Sequence, residues 1–160
     1  MRRAGRRRVG AWCVSLAGAL VVSFSLLTSS CATEGGLLEG SLGEFYDLSF
    51  TSMRARLYSS ELSIEWVRGD GEVPVRLTVR RAEADPKGPR DVDLKRYGDV
   101  SGSSRGTPIP RFTSGTLTLS EYRPSEGAVV SGSADITFRA ADTEVTLTGD
   151  FCARLTVVPE

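Results

Sequence analysis

The chain of 160 residues contains no histidine, no asparagine and no glutamine. Without histidine, a Ser-His-Asp or Cys-His catalytic site has no base, and zinc or iron has no imidazole ligand. Without asparagine and glutamine, no side-chain amide is available to form an oxyanion hole or to recognise a nucleobase or sugar. These absences favour a non-enzymatic protein, and we expect no catalytic residue, no cofactor and no metal site.

Acidic residues are also missing from the N-terminal part of the chain. The first is Glu34, whereas five arginines lie within the first eight residues. The whole chain is neutral, but residues 31–160 hold 15 basic against 20 acidic side chains, a net charge of −5. Because the basic residues of this part are scattered and outnumbered, we expect no nucleic-acid partner. The length allows one ordinary domain.

The N-terminus has the three parts of a secretory signal. Residues 1–10 are strongly cationic, residues 11–27 form an uncharged and mostly apolar stretch, and small residues follow. Seventeen helical residues would span only ~26 Å, short of the ~30 Å of a bilayer's hydrocarbon core. The pattern therefore indicates a cleaved export signal rather than a permanent membrane span.

The segment Leu26-Leu27-Thr28-Ser29-Ser30-Cys31 resembles the lipobox of bacterial lipoproteins. The resemblance implies cleavage between Ser30 and Cys31, so that residues 1–30 are a signal peptide and Cys31 becomes a lipidated N-terminus. Thr28 stands where the family usually has leucine, and Leu27 lies one position too early. Ala32 replaces the aspartate that retains such proteins in the inner membrane, which favours the outer membrane.

Three other fates of the N-terminus remain open. Cleavage after Ala32 would release a soluble protein, an uncleaved segment would stay as an anchor, and the Arg7-Arg8 pair suggests a twin-arginine export route. If Cys13 leaves with the signal and Cys31 is acylated, Cys152 remains alone. We expect it to be a buried structural thiol, with a reactive thiol as the alternative.

Residues 32–43 are rich in glycine and are expected to be a flexible spacer. Together with the lipidated Cys31 they would form a tether over residues 31–43. After it, alternation of apolar and polar residues predicts a series of strands. The clearest pair is residues 133–140 and 144–157, joined by a short turn, with Gly149 expected at a bend or bulge. A second hairpin is predicted from Leu62 to Val79, with Pro74 at a strand start or an edge. Further strands are expected over 116–122 and, in preference to a helix, within 44–58, with loops over 82–91 and 98–110.

The fold class predicted for residues 44–160 is all-β, a single antiparallel β-sandwich or small barrel-like domain after the cleaved signal segment. The segments Val130–Phe138 and Leu147–Leu155 also resemble the closing hairpin of uncharacterised β-rich bacterial lipoprotein families. That resemblance implies a fold and a location, and no activity.

Several motifs suggest chemistry but are explained better by structure. Gly102-Ser103-Ser104-Arg105-Gly106 matches the G-x-S-x-G nucleophile elbow, but it lacks a histidine and the flanking strand and helix. Arg68-Gly69-Asp70 matches an integrin-binding tripeptide, although a turn needs the same residues. Four aspartates could offer oxygen ligands to calcium, but cations interleave with them: Asp85, Asp91, Asp93 and Asp99. Five aromatic residues could form a ligand platform, although Trp66 lies on the apolar face of its strand and is expected in the core: Tyr46, Tyr58, Trp66, Tyr97 and Tyr122.

The sequence thus predicts a lipid-anchored protein of the cell envelope with a structural or binding role, whose one identified partner is the membrane reached through the anchor. Any protein or small-molecule partner is left open. An alternative is a barrel-type carrier of an apolar ligand. A third hypothesis is a hydrolase that uses a pair of carboxylates.

Overall fold

The computed structural model describes residues 34–84 and 91–159. The predicted signal segment 1–30, Cys31 and Asp85 therefore lie outside the described residues. Within the described ranges the chain forms eleven strands. They are β1 (Gly35–Glu39), β2 (Ser52–Leu57), β3 (Glu61–Val67), β4 (Val75–Arg80), β5 (Asp91–Asp93), β6 (Gly98–Ser101), β7 (Ser103–Ser104), β8 (Thr107–Pro108), β9 (Arg111–Glu121), β10 (Val129–Ala140) and β11 (Thr143–Val157).

Nine of these strands form one sheet that curls into a nearly closed barrel. The order along the sheet is β5-β9-β10-β11-β2-β3-β4-β6, and β1 pairs with β11 in addition. Every pairing is antiparallel except that of β11 with β2, which is parallel. The predicted all-β class is confirmed, and the sheet is barrel-like. It is not purely antiparallel as predicted, because β11 and β2 pair in parallel.

The two strands at the ends of the sheet are short, and a helical turn joins them. The helix α2 (Leu94–Tyr97) connects β5 to β6 and contacts β4, β6 and β9. Asp93 caps it by accepting a hydrogen bond from the Lys95 backbone N–H at 2.9 Å. Leu94 is fully buried, so α2 covers the gap that the short edge strands leave in the barrel.

The remaining helical segments are also single turns. A 3₁₀ turn covers Ser41–Glu44, and α1 covers Arg81–Ala84. In the described ranges, no helix has the length and hydropathy of a membrane span.

The predicted C-terminal hairpin is confirmed. β10 and β11 pair in continuous register from Val129–Arg154 to Ala140–Thr143. Ala141 and Asp142 form the two-residue turn, with Ala141 at φ 53°. Every second residue of β11 from Val145 to Leu155 is buried, because successive side chains of a strand point to opposite faces.

The central hairpin and the strand within 44–58 are confirmed as well. β3 and β4 pair from Glu61–Arg80 to Trp66–Val75, and β4 begins directly after Pro74, where no ladder hydrogen bond is lost. β2 buries Met53, Ala55 and Leu57. β9 contains the predicted strand 116–122 up to Glu121 and begins earlier, at Arg111.

Three segments differ from the structure that the sequence predicts for them. The glycine-rich segment 32–43 is not a free spacer over its described part, because β1 pairs with β11 and Leu42 is fully buried. The predicted loop 98–110 contains β6 and the β7–β8 hairpin, since glycines let the backbone approach its neighbours: a Cβ on Gly102 would clash with the Pro74 carbonyl. Of the predicted loop 82–91, residues 82–84 belong to α1 and Asp91 to β5.

The barrel interior is filled by large apolar side chains. Trp66 is fully buried and meets Phe151 edge-on, with ring centroids 6.2 Å apart and planes at 88°. Gly149 shows no register shift, contrary to the expected bend or bulge. Its role is to leave space: a Cβ there would lie 2.9 Å from Leu38 Cδ2 and 3.2 Å from Trp66 Cζ2.

The outer face of β3 carries a buried carboxylate between two arginines. Glu65 is 1% exposed and is the register partner of Arg54 on β2 and of Arg76 on β4. Arg54 approaches Glu65 Oε2 at 2.8 Å through Nη2 and 2.9 Å through Nε, and Arg76 Nε lies 2.9 Å from Oε1. Both guanidinium groups are partly exposed, so they shield Glu65 from solvent while keeping contact with water.

Candidate functional site

The two loop motifs of the sequence meet in one polar cluster. Arg68 to Gly71 form a turn, in which the Gly71 N–H donates to the Arg68 carbonyl at 2.9 Å. The Asp70 carboxylate accepts from the Glu72 N–H at 3.0 Å. Both contacts are those of a local turn, as the sequence predicts for the Arg-Gly-Asp tripeptide.

The G-x-S-x-G segment forms the β7–β8 hairpin, and a glutamate from the neighbouring turn occupies its tip. Arg105 and Gly106 both have positive φ, 52° and 76°, which turns their N–H groups to one side as an anion-binding nest. Glu72 accepts from these N–H groups at 2.6 and 3.0 Å and from the Ser103 hydroxyl at 2.8 Å. The strand-then-helix geometry of a nucleophile elbow is not formed by these residues.

Two arginines complete the polar cluster around Asp47. Arg68 Nη1 lies 3.3 Å and Arg105 Nε 2.9 Å from Asp47 Oδ2, and Arg68 also donates to the buried Ser104 hydroxyl at 3.0 Å. Hydrogen bonds from the backbone of Ser49 lower the pKa of Asp47, and those from the Gly106 and Arg105 N–H groups lower the pKa of Glu72. Because the donors are occupied by the chain's own carboxylates, this cluster is a junction between loops rather than an open site.

The other candidate residues are dispersed. Asp91 accepts from the Thr118 hydroxyl at 2.9 Å, Asp93 caps α2, and Asp99 pairs with Thr78 in the sheet. Among residues 34–84 and 91–159 no acidic, cysteine or histidine side chains group as metal ligands.

The aromatic platform also does not form. Trp66, Tyr46 and Tyr122 are buried in the core, while Tyr97 is half-buried beneath the Arg96 guanidinium, 4.9 Å from its ring centroid.

Cys152 is not the lone thiol that the sequence predicts. It is half-buried on β11 and is disulfide-bonded. The chain's two remaining cysteines are Cys13 and Cys31. Sequence reasoning missed the bond because it assigned one of these to the signal and the other to the lipid.

The outer surface of β9, β10 and β11 carries an open groove of about 640 Å³. Its lining is rich in hydroxyl groups and includes Ser114, Thr116, Thr137, Thr146 and Thr148, with Asp93, Asp135 and Lys95 at its sides. Asp135 accepts from the Thr148 hydroxyl at 3.1 Å. The alternation of β10 and β11 predicts that these side chains face outward, but not that three strands align them in one groove.

A smaller cavity of about 240 Å³ lies where β9 begins and β10 ends. It is lined by Lys95, Arg111, Phe112, Thr113 and Arg139. Three of these five side chains are cationic, and sequence reasoning missed them because they come from three separate segments. Only the register of β9 on β10, which places Arg111 opposite Arg139, brings them together.

Comparison of the chain with protein-family models, with curated proteins and with solved structures yields no match.

Proposed function

We propose that the chain is an exported, lipid-anchored protein of the cell envelope whose barrel-like domain serves as a non-enzymatic binding module. The cationic and apolar N-terminal segment and the lipobox-like residues before Cys31 support export and acylation. The observation that carries the proposal is that β1 begins at Gly35. Four residues of chain reach at most ~14 Å, so an acyl anchor on Cys31 holds the barrel directly against the membrane surface.

The surface of the barrel, rather than its interior, supports the binding role. The inner face is filled by side chains with less than 2% exposure, among them Trp66, Phe138 and Leu147. A carrier of an apolar ligand would need that space. The groove over β9–β11 and the cationic cavity beside it are open to solvent.

Two carboxylates in the groove bear on the hydrolase alternative. Asp93 and Asp135 both line it, but each already accepts a hydrogen bond from the chain, from the Lys95 N–H and the Thr148 hydroxyl. With these acceptors engaged and no histidine in the chain, we keep the non-enzymatic proposal.

The disulfide at Cys152 supports export and favours a second candidate. Disulfides persist in oxidising compartments outside the cytoplasm. However, the sulfur of Cys31 cannot carry a diacylglycerol thioether and a disulfide at the same time. The second candidate is therefore an exported domain that is not acylated and that keeps a cysteine bonded to Cys152.

Metabolic labelling with palmitate separates the two candidates. An acylated protein incorporates label as wild type and as Cys13→Ala, the matched control, and loses it as Cys31→Ala. An acylated and cleaved protein would lack the Cys152 disulfide, because Cys13 has left and the Cys31 sulfur is occupied, so maleimide would label Cys152 without reductant. Equal palmitate in wild type and Cys31→Ala contradicts the anchor, and maleimide labelling of Cys152 only after reduction favours the second candidate.

A further inference from the structure

The cationic cavity at the start of β9 is defined by Lys95, Arg111, Phe112, Thr113 and Arg139. Arg111 and Arg139 are direct partners across the β9–β10 pair, so their side chains leave the same face of the sheet. Like charges placed directly opposite each other on a sheet are destabilising. The third cation, Lys95, comes from α2.

Among the described residues, these three cations have no acidic partner within 4 Å. The ion pairs within 4 Å in the described part of the chain involve Arg54, Arg68, Arg76, Arg105 and Arg154. Glu144 is the register partner of Arg139 on β11, and Asp93 lies two residues before Lys95, but neither forms such a pair. The cavity is therefore locally positive in a part of the chain that carries net negative charge.

The wall of the cavity is held in place from both sides. The Thr113 hydroxyl donates to the Thr137 carbonyl at 2.9 Å, next to the register shift between Thr137 and Phe138. Phe112 packs edge-on against the buried Phe138, with centroids 6.3 Å apart. The irregular pairing and the packed ring fix the backbone from which Arg111 and Arg139 project, so less conformational freedom is lost when a ligand binds.

We propose that this cavity binds a phosphate group. Guanidinium groups donate two parallel hydrogen bonds to phosphate oxygens, and a lysine adds a point charge, so the three cations match a group of charge near −2. The cavity of about 240 Å³ exceeds the ~30 Å³ of a water molecule and is smaller than the ~300–1,000 Å³ of sites for drug-sized ligands. It thus has room for one phosphate group and a small substituent beside Phe112.

The test is a titration of the protein, purified from its expressing cells, with pyrophosphate at constant ionic strength. Calorimetry measures the binding, and thermal unfolding measures the gain in stability. Wild type should bind saturably and gain thermal stability. Arg111→Ala and Arg139→Ala should each weaken binding at least about tenfold, as expected for a lost charge-assisted hydrogen bond. The matched control is Arg123→Ala, an exposed arginine beyond the opposite end of β9, which should bind within about twofold of wild type.

The thermal stability of the variants without ligand shows whether Arg111 and Arg139 serve to bind phosphate or to stabilise the fold. Because removing one of two opposed cations relieves repulsion, Arg111→Ala should unfold at the same or a higher temperature than wild type while losing the gain from pyrophosphate. Absence of saturable binding, or equal binding in Arg111→Ala and Arg123→Ala, overturns the proposal.

A vesicle arm identifies the source of the phosphate. Sedimentation with phosphatidylglycerol vesicles, compared with phosphatidylcholine vesicles, is measured for proteins with and without the Arg111→Ala/Arg139→Ala double substitution, both in a Cys31→Ala background, because an acyl chain on Cys31 would insert into either kind of vesicle. Selective binding that the double variant loses assigns the group to a lipid headgroup. Pyrophosphate binding without selective sedimentation assigns it to a soluble phosphate compound.

Discussion

Gly36 of β1 lies directly against the buried indole of Trp66. A Cβ on Gly36 would stand 3.2 Å from Trp66 Nε1 and 2.5 Å from Met53 Sδ, and it would clash with the Asp150 carbonyl. β1 can therefore pack this closely against the core only because residue 36 has no side chain. The neighbouring Gly35 has open space at the same point.

Gly36→Ala should destabilise the fold by about 2 kcal/mol, because an extra methyl group in a packed site forces its neighbours to move. Gly35→Ala is the matched control and should be neutral or stabilising by up to ~1 kcal/mol, since alanine restricts the unfolded chain. Urea unfolding of both variants measures the difference. Equal stability of the two would mean that β1 is not docked on Trp66.

Glu65→Ala should destabilise the domain by about 3 kcal/mol, because it leaves the Arg54 and Arg76 guanidinium groups facing each other without the carboxylate between them. Glu61→Ala, on the same strand and without an ion pair in the described residues, should change stability by less than ~0.5 kcal/mol. The two free energies of unfolding are compared at neutral pH. A cost no larger at Glu65 than at Glu61 would contradict the role given to this ion pair.

The Glu72 junction should weaken in acid. The pKa of Glu72 in the folded state lies below its ordinary 4.5, chiefly because the Gly106 N–H donates to the carboxylate, so the unfolded chain takes up the proton first as pH falls. The Glu72 carboxylate contributes fully to stability above pH 4.5, and this contribution is lost as the pH falls through the lower pKa of the folded state.

Glu72→Gln should therefore lose less stability than wild type over the acid range below pH 4.5, as measured by urea unfolding at a series of pH values. Glu121→Gln, at an exposed position of β9, should follow the wild-type curve. A Glu72→Gln curve parallel to wild type in this range would be the contrary result.

Ionisation of Tyr46 should lower the stability of the fold at alkaline pH. Its hydroxyl donates to the Pro74 carbonyl at 2.8 Å, and burial, with help from the nearby Glu72 and Asp47 charges, raises its pKa from 10 to about 12. Above pH 10 the unfolded chain loses this proton before the folded one, so the stability that Tyr46 supplies falls between pH 10 and 12.

Tyr46→Phe should cost about 1 kcal/mol at pH 7 for the lost hydrogen bond, and its deficit relative to wild type should shrink toward pH 12. Tyr58→Phe is the control, since the Tyr58 hydroxyl makes no hydrogen bond within the described ranges. A constant deficit across this range would show that Tyr46 does not titrate differently in the two states.

Strands with strong alternation could be predicted, and those formed from glycine and serine could not. Val145 to Leu155 bury every second residue, and this period of two is visible without a partner strand. β6 carries one buried apolar residue, Val100, between polar neighbours, so it becomes a strand only by pairing with β4. Gly149 was placed in the correct strand but given the wrong role, because the Trp66 ring that needs its space is distant in sequence.

The candidate sites likewise include features that the sequence predicts and contacts that it does not. The sequence by itself determined the strongly alternating strands and their outward-facing polar residues, because these depend on local order along the chain, and it is the basis on which we propose an export signal and an anchor at Cys31. Only the tertiary structure decided that Glu72 fills the hairpin tip at Gly106, that Cys152 is in a disulfide, and that Arg111 stands opposite Arg139. The physical reason is that such contacts depend on sheet register and barrel closure, which bring together residues from separate segments of the chain.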